Sequence, residues 1–418
     1  MITMDPRAMG QGLPEIGALE EALERFDRGL IRLNRLWRYY QGKHDILSRQ
    51  RLPGLPNQRL VGGFPRYIAQ LSAGYLIGEP ARYDCPGEEA GAKALRALYQ
   101  AVDAESVDLE AAVAQAVFGR GLTLCYVEEG GQAGLCALDP RSAFLVREDT
   151  VAQKPLFGVR VVDGAGGRQV TLYMKDRIVQ YEKGLKNPPR VFSHPFGRVP
   201  MTEYRNGQDA QGDFEGVLQL IDAYDLMQSD RINDRMQFSD ALLVLTGVMG
   251  IAEGTSGETG PGAMERLRQE RTLALPDSEA KAEWLVKNPQ ERDVDVLRRA
   301  LAEDIHKFSM TPDFADERFA GNASGIAIKY KLFNLEQRIR MKERWFIQGL
   351  RERARVMAGF LAQSGKAAPD ISRLQIRIPR RLPINELERA QALSLLNGIL
   401  PEKTLVDNAP ILPSETQQ

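Results

Sequence analysis

Apolar and polar positions along this chain follow three rhythms, and the changes between them mark its organisation. From Pro14 to Tyr40, Ile16, Leu19, Leu23, Phe26, Leu30, Leu33 and Trp37 recur at threes and fours, which predicts an amphipathic helix ended by Gly42. A second helical stretch covers Glu88 to Phe118, with a break around Asp103 to Asp108. Beyond Gly119 the pattern shortens to LTLCYV, LCAL, AFLV, LFGVRVV, QVTLYM, RIVQY and RVFSHPF. Turn signals such as Glu129-Gly130-Gly131, Asp139-Pro140 and Gly164-Ala165-Gly166-Gly167 separate these runs, so they read as antiparallel hairpins packed with the earlier helices. Residues 1–210 are expected to form one α+β domain.

Helical periodicity returns from Asp213 to Ala241, but only Leu218, Ile221 and Ile232 form an apolar stripe. Asp222, Asp225, Asp230, Arg231, Asp234 and Arg235 occupy the sides; such a helix either bridges solvent or packs between like neighbours through charge pairs. Strand-like LLVLTGVM and TLALP then flank a glycine-rich insert. Asn288-Pro289-Gln290-Glu291 opens another helix, with Asn at the N-cap, Pro at the first helical position and Glu reaching back, and Thr311-Pro312 stops it after Met310. The chain is organised around the stretch beyond this stop, a loop and a long helix ending at Gln363. Ile328, Leu332, Leu335, Ile339, Phe346, Leu350, Ala354, Met357 and Leu361 form the helix's apolar stripe over roughly 55 Å. Gly349 and Gly359 are its expected points of bending. Asn322 or Ser324 is placed to cap it, and an ordinary helical hairpin would share this pattern. RLQIRIP reads as a strand, NELERAQALSLLNGIL as a last helix, and a proline-bearing tail closes the chain.

Composition narrows the function classes. With 418 residues, two or three domains are expected, and 43% hydrophobic with 27% charged residues is ordinary for a folded protein. The formal charge of −1 excludes a global basic field that would draw in nucleic acid. Cys85, Cys125 and Cys136 lack CxxC spacing, and His44, His194 and His306 are far apart, so reduced thiols and no zinc site are expected. No charged-then-apolar signal opens the chain, and the longest apolar run, Ala241 to Ala252, is too short to span a membrane, so synthesis in the cytosol is expected. The glycine-rich insert has no GxxxxGK[ST] and so no phosphate loop. Asp293 with Asp295, or Asp313 with Asp316 and Glu317, lack further metal ligands, and acidic residues near a helix start are favoured by its dipole alone. Asp304, His306 and Ser309 on one helix do not converge as a triad. No catalytic, cofactor or metal residue is assigned.

Residues 39–80 carry a more specific pattern. Tyr39, Tyr40, Gly42 and His44, then Pro56 and Asn57, then Gly74, Tyr75, Gly78 and Pro80, fall in an order that resembles the portal, or head-to-tail connector, proteins of long-tailed (siphovirus-type) bacteriophages. The loop between two helices at 311–325 resembles the same family. The resemblance implies a predominantly helical α+β portal fold assembled as a ring, with a wing at 1–210, a first stem helix at 211–241 and a clip at 242–288. A second stem helix at 289–310, a channel loop at 311–325, a long helix at 326–370 toward wing or crown, and a returning strand, crown helix and tail at 371–418 would complete it.

Such a protein forms a DNA channel at one capsid vertex of the virion, after assembly in the host cytoplasm, and serves DNA packaging, retention and ejection. Its implied partners are about twelve copies of itself, the terminase large subunit, the major capsid and scaffolding proteins, a head-completion or neck protein, and double-stranded DNA passing without sequence readout, with no membrane. Asp313, Asp316, Glu317, Arg318 and Asn322 would line the channel loop, where tight phosphate contacts would trap DNA. Asp222, Asp225, Arg231, Arg235, Arg298 and Arg299 would face neighbouring subunits on the stem. The alternative is a soluble helical DNA-binding regulator, suggested by nine Lys or Arg against three Glu on the long helix; those charges fall on most of its sides, as on a solvated or subunit-facing surface.

Overall fold

A computed structural model of the chain describes residues 1–10, 12–53, 55–164, 167–182, 184–185, 187–238, 242–246, 281–285, 291–314, 330, 332–380 and 394–396. The elements begin with strand β1 (Ile2–Met4), the short pair β2 (Met9–Gly10) and β3 (Leu13–Pro14), helices α1 (Ile16–Tyr40) and α2 (Phe64–Ile77), β4 (Arg82–Asp84), α3 (Glu89–Ala101) and α4 (Ala104–Phe118). Strands β5 (Arg120–Val127), β6 (Ala133–Leu138), β7 (Ala143–Glu148), β8 (Pro155–Gly164), β9 (Gly167–Tyr173), β10 (Arg177–Tyr181), β11 (Arg190–Ser193) and β12 (Met201–Arg205) come next. The remainder is α5 (Leu218–Phe238), β13 (Leu242–Thr246), β14 (Lys281–Leu285), α6 (Glu291–Phe308), α7 (Phe333–Gln363) and β15 (Gln375–Arg377).

The chain forms two compact units, one from Met1–His44, Gly63–Ile221 and Glu303–Gln418, the other from Asp45–Gly62 and Asp222–Ala302. The first unit takes in α7 and leaves out residues 45–62, so it differs from a domain made of residues 1–210 alone.

In the first unit, a six-stranded sheet runs in the order β1-β7-β8-β9-β10-β11, antiparallel except for the β1–β7 pair. α1 buries Leu19, Ala22, Leu23 and Phe26 against Phe144, Val146, Phe157 and Val159 of this sheet, and Phe26 stacks on Phe144 at 4.6 Å. Its stripe drifts along the helix: Leu36 and Tyr39 are buried, whereas Ile16 is 48% exposed. Because strand side chains alternate, Ala143 and Leu145 face the other way and pack with Leu122, Leu124, Leu138 and Met201 of a three-stranded sheet ordered β12-β5-β6. Tyr204, Cys125 and Leu135 of this second sheet share a core with α2, α3, α4 and α7. The α3–α4 break falls at Val102 and Asp103, Asp103 adopting φ 48°, and β4 pairs with β15.

The α7 stripe is buried from Leu332 to Leu361, while Ile328 lies outside the described residues. The helix stops at Gln363, and Gly365 turns the chain with φ 68°. Neither Gly349 nor Gly359 interrupts it. A Cβ at Gly349 would stand 2.5 Å from the Tyr204 ring, and one at Gly359 2.4 Å from the Phe196 carbonyl oxygen, so these glycines admit close neighbours.

In the second unit, β13 and β14 pair antiparallel from Leu242↔Leu285 to Thr246↔Lys281. α5 starts at Leu218, after a 3-10 turn at Glu215–Val217, and not at Asp213. The expected cap at Asn288 and Pro289, the TLALP strand, the caps at Asn322 and Ser324, and most of the last helix lie outside the described residues.

Candidate functional site

The motif residues at 39–80 are packing and turn positions. Tyr39 is buried and stacks on His44 at 4.5 Å, and the His44 Nε2–H donates to the Tyr39 carbonyl at 3.1 Å. Gly42 sits at φ 76°, a left-handed conformation that glycine adopts without strain. Tyr75 donates its hydroxyl to Glu336 Oε2 at 2.8 Å, in the first turn of α7. Burial and that carboxylate push the Tyr75 pKa up to about 12. Burial alone would raise Glu336, yet Arg340, the Tyr75 hydroxyl and Arg380 together hold it below the usual carboxylate value.

At the end of α6 the chain makes a Schellman turn: Thr311 N–H donates to His306 O and Met310 N–H to Lys307 O, with Met310 at φ 53°. His306 fixes this turn. Its Nδ1–H donates to Thr311 O at 3.1 Å, its ring meets Phe64 and Tyr67 edge-on, and its Nε2 lies 3.9 Å from Asp313 Oδ2. The Tyr67 hydroxyl donates to Pro312 O at 2.6 Å, and the Ser309 hydroxyl donates to the His306 carbonyl at 3.3 Å. The triad-like vocabulary of His306 and Ser309 is therefore helix-capping.

The same turn is held from α7 as well. Arg338 donates to the Ser309 carbonyl, to Asp213 O at 2.7 Å and to Asp213 Oδ1 at 2.8 Å. Lys342, one turn on, reaches Asp213 Oδ2 at 2.7 Å, and Asn206 Nδ2 donates to Asp213 Oδ1 at 2.8 Å. Burial pushes Asp213 upward, but Lys342 and Arg338 outweigh it and leave its pKa below the carboxylate value. Burial lowers the Lys342 pKa against the pull of Asp213.

Of the expected channel residues, Asp313 lies on this anchored turn, with its side chain 45% exposed. Asp316, Glu317, Arg318 and Asn322 lie outside the described residues. The expected subunit-facing residues divide. Asp225 is fully buried and accepts from the Gly62 N–H of its own chain at 2.7 Å. Ser229 accepts from Leu60 N–H at 2.9 Å, and Asn233 exchanges two hydrogen bonds with the Gln58 backbone. Spaced by four along α5, these side chains hold residues 58–62 as an extended strap, and Arg49 and Arg51 pair with Asp230 beside it. Part of the polarity of α5 thus serves its own chain. Asp222 and Arg231 are half-buried and Arg235 is exposed. Arg298 and Arg299 both pair with Asp295 at 3.0 and 2.8 Å, and Arg299 is 69% exposed.

The long helix is not basic on all sides to solvent. Lys342 is buried on Asp213, and Arg353, fully buried, makes a bidentate pair with Asp108 and a 3.2 Å hydrogen bond to the Tyr83 hydroxyl. Arg338, Lys342, Arg353, Asp213 and Asp108 were not singled out by sequence reasoning. A signal exists in the interleaving of Arg338, Lys342 and Arg353 with Leu335, Ile339, Phe346 and Leu350, which puts cations beside the apolar stripe.

Residues 19–418 match the family "Phage portal protein, SPP1 Gp6-like", and the chain belongs to that family. The portal protein of Bacillus phage SPP1 is 21% identical over 91% of this chain and 81% of its own length. The portal protein of Clostridium phage phiCD119 is 25% identical over 52% of this chain and 46% of its own. Solved structures with a similar chain include the virion of a native gene transfer agent particle, at 13% identity and TM-score 0.47, over 84% of this chain and 90% of that one. The neck of that native particle computed with C12 symmetry gives 13% identity and TM-score 0.46 over the same shares. The role of the chain is a structural one, that of a portal in the phage head. No described helix is long and apolar enough to cross a membrane.

Proposed function

We propose that about twelve copies close head-to-tail into a ring around a DNA channel, seated at one vertex of the virion capsid and assembled in the host cytoplasm. In this reading the chain passes duplex DNA during packaging, holds it afterwards and releases it at ejection. Residues 242–288 form a clip that docks the terminase large subunit and later a neck protein, residues 1–210 supply most of an outward wing beside capsid and scaffolding proteins, and the chain itself is no enzyme. α5 and α6 act as stem helices, with Asp222, Arg231, Arg235, Arg298 and Arg299 toward neighbouring copies.

The observation that carries the proposal is the clamp at the loop base. The stump that enters the loop is fastened, by His306 and Tyr67 on one side and by Arg338 of α7 on the other, and Lys342 ties α7 to Asp213 beside it, so a loop bearing Asp313, Asp316, Glu317, Arg318 and Asn322 can press on moving DNA from a fixed base. Acidic residues keep each phosphate contact brief. Native mass measurement with negative-stain imaging tests the ring: closed rings with a hole of roughly 20 Å or more, the width that admits duplex DNA, are expected. Only small oligomers, with scaffolding and capsid protein present as well, would refute it. Deleting Phe314 to Gly321 is expected to leave rings intact and to impair packaging or retention; loss of the rings would show the loop to be architectural.

A further inference from the structure

A half-open cleft of about 640 Å³ opens in the first unit on the side of the six-stranded sheet away from α1. The alternation of β7 sets this arrangement: Phe144 and Val146 pack under α1, whereas Leu145 and Arg147 line the cleft. Buried Leu145, Met201 and Val356 form an apolar floor. Two carboxylates reach the cleft and both are already paired, Glu203 with Arg147 at 3.4 Å and Arg120 at 3.8 Å, and Glu352 with Arg355. Lys154, Lys175 and Arg198 on the rim are exposed and have no ion-pair partner among the described residues. A smaller adjoining cleft of about 190 Å³ adds Arg205, which lies over the Trp345 ring at 5.0 Å. Burial lowers the Arg205 pKa, with Glu203 opposing the shift and Arg147 and Arg120 adding to it.

The other side of the same layer carries the opposite sign. The outward face of the first half of α1 exposes Glu20, Glu21 and Glu24 together with Arg25 and Arg28, while Leu19, Ala22, Leu23 and Phe26 are turned into the sheet. Arg25 pairs with Glu21 at 2.5 Å, so among the described residues Glu20 and Glu24 carry the unpaired acidic charge. A head-to-tail contact needs two different, complementary patches on each copy, and here they stand on opposite faces of one sheet. We infer that the cleft receives the acidic first half of α1 from the next copy in the ring, with Lys154, Lys175 and Arg198 meeting Glu20 and Glu24. An apolar floor inside a cationic rim suits carboxylates on aliphatic stems better than a phosphate backbone. The inference rests on the ring reading, and the rim charges would set register and partner choice more than raw affinity.

The test uses two charge-reversed full-length chains: Lys175→Glu with Arg198→Glu, and Glu20→Lys with Glu24→Lys. Each alone opposes like charges at every contact and is expected to lower ring yield by about tenfold or more on native mass spectrometry, with secondary structure unchanged by circular dichroism. A one-to-one mixture restores opposite charges at every contact, so mixed rings are expected to recover toward the wild-type yield. Variants that ring as well as wild type overturn the pairing and leave the portal reading standing, as does a mixture that stays open although both chains are folded. Intact cleft-variant rings that bind duplex DNA less tightly than wild type would assign the cleft to phosphate instead and overturn the inference. Absence of wild-type rings under every assembly condition strikes the portal reading itself.

Discussion

Asp213 at the loop base and Asp108 in the helix–sheet core are both buried carboxylates paired with cations of α7, yet they respond oppositely. Burial pushes Asp108 above the usual carboxylate value in spite of Arg353. Asp213, equally enclosed, is held below it because two cations, Lys342 and Arg338, share it. One guanidinium falls short of replacing the water that a carboxylate loses; a guanidinium, an ammonium and the Asn206 amide exceed it. The core pair joins one carboxylate to one guanidinium, whereas the loop base gathers two cations and an amide on one carboxylate.

The sharpest break falls in the core. Arg353→Met leaves Asp108 buried without a partner and is expected to cost about 3–5 kcal/mol, read as a fall in the urea midpoint at neutral pH. Replacing both members, Arg353→Met with Asp108→Leu, should recover most of that loss, because a buried pair is often no more stable than apolar residues of similar volume. A double variant as weak as the single one would mean that the Tyr83 hydrogen bond and the stacking on Tyr99 at 4.8 Å dominate the site.

At the loop base the corresponding change is milder. Lys342→Met leaves Asp213 to Arg338 and Asn206, and the loss of one charged hydrogen bond is expected to cost about 1.5–3 kcal/mol. The acid limb separates the two regions further. A carboxylate whose folded pKa is lowered adds stability above its unfolded value near 3.8 and loses it as the pH falls through the folded value. Lys342→Met should therefore move acid unfolding to higher pH. Asp108, with its raised folded value, binds a proton more readily in the folded state and adds relative stability as the pH falls through that value, so Asp108→Asn should remove that acid-side gain, a dependence of opposite sign to that of Asp213. Coincident acid limbs for wild type and Lys342→Met would show that Arg338 alone sets the Asp213 environment.

This contrast also explains what was legible in the sequence. Strands such as AFLV and QVTLYM, the α1 stripe and the eight stripe positions from Leu332 to Leu361 were readable, because burial imposes its period directly on residue type. The resemblance at 39–80 was readable because Gly42, Tyr39 and Tyr75 meet steric and hydrogen-bonding demands that few other residues satisfy. Ion pairs were not. Asp108 and Arg353 are 245 residues apart, as Asp213 and Lys342 are 129 apart, and nothing local in a charged residue tells whether its partner is water or a distant carboxylate. The bond between Asp225 and the Gly62 backbone was hidden for the same reason, because a backbone N–H leaves no mark in sequence.

The smallest expected difference compares two strained joints. Met310, beside the loop base, and Asp103, between α3 and α4, both hold left-handed backbone without being glycine, at φ 53° and 48°. That conformation disfavours an ordinary side chain by about 1–2 kcal/mol, but less for Asp, whose short polar side chain can hydrogen-bond locally. Glycine removes the strain and adds freedom to the unfolded chain, so Met310→Gly should gain about 0.5–1 kcal/mol net, and Asp103→Gly close to nothing. Thermal melts of both variants against wild type would resolve the order. If Met310→Gly gains nothing, the clamp of Arg338 and His306 already fixes the turn so firmly that backbone strain at Met310 is not what limits its stability.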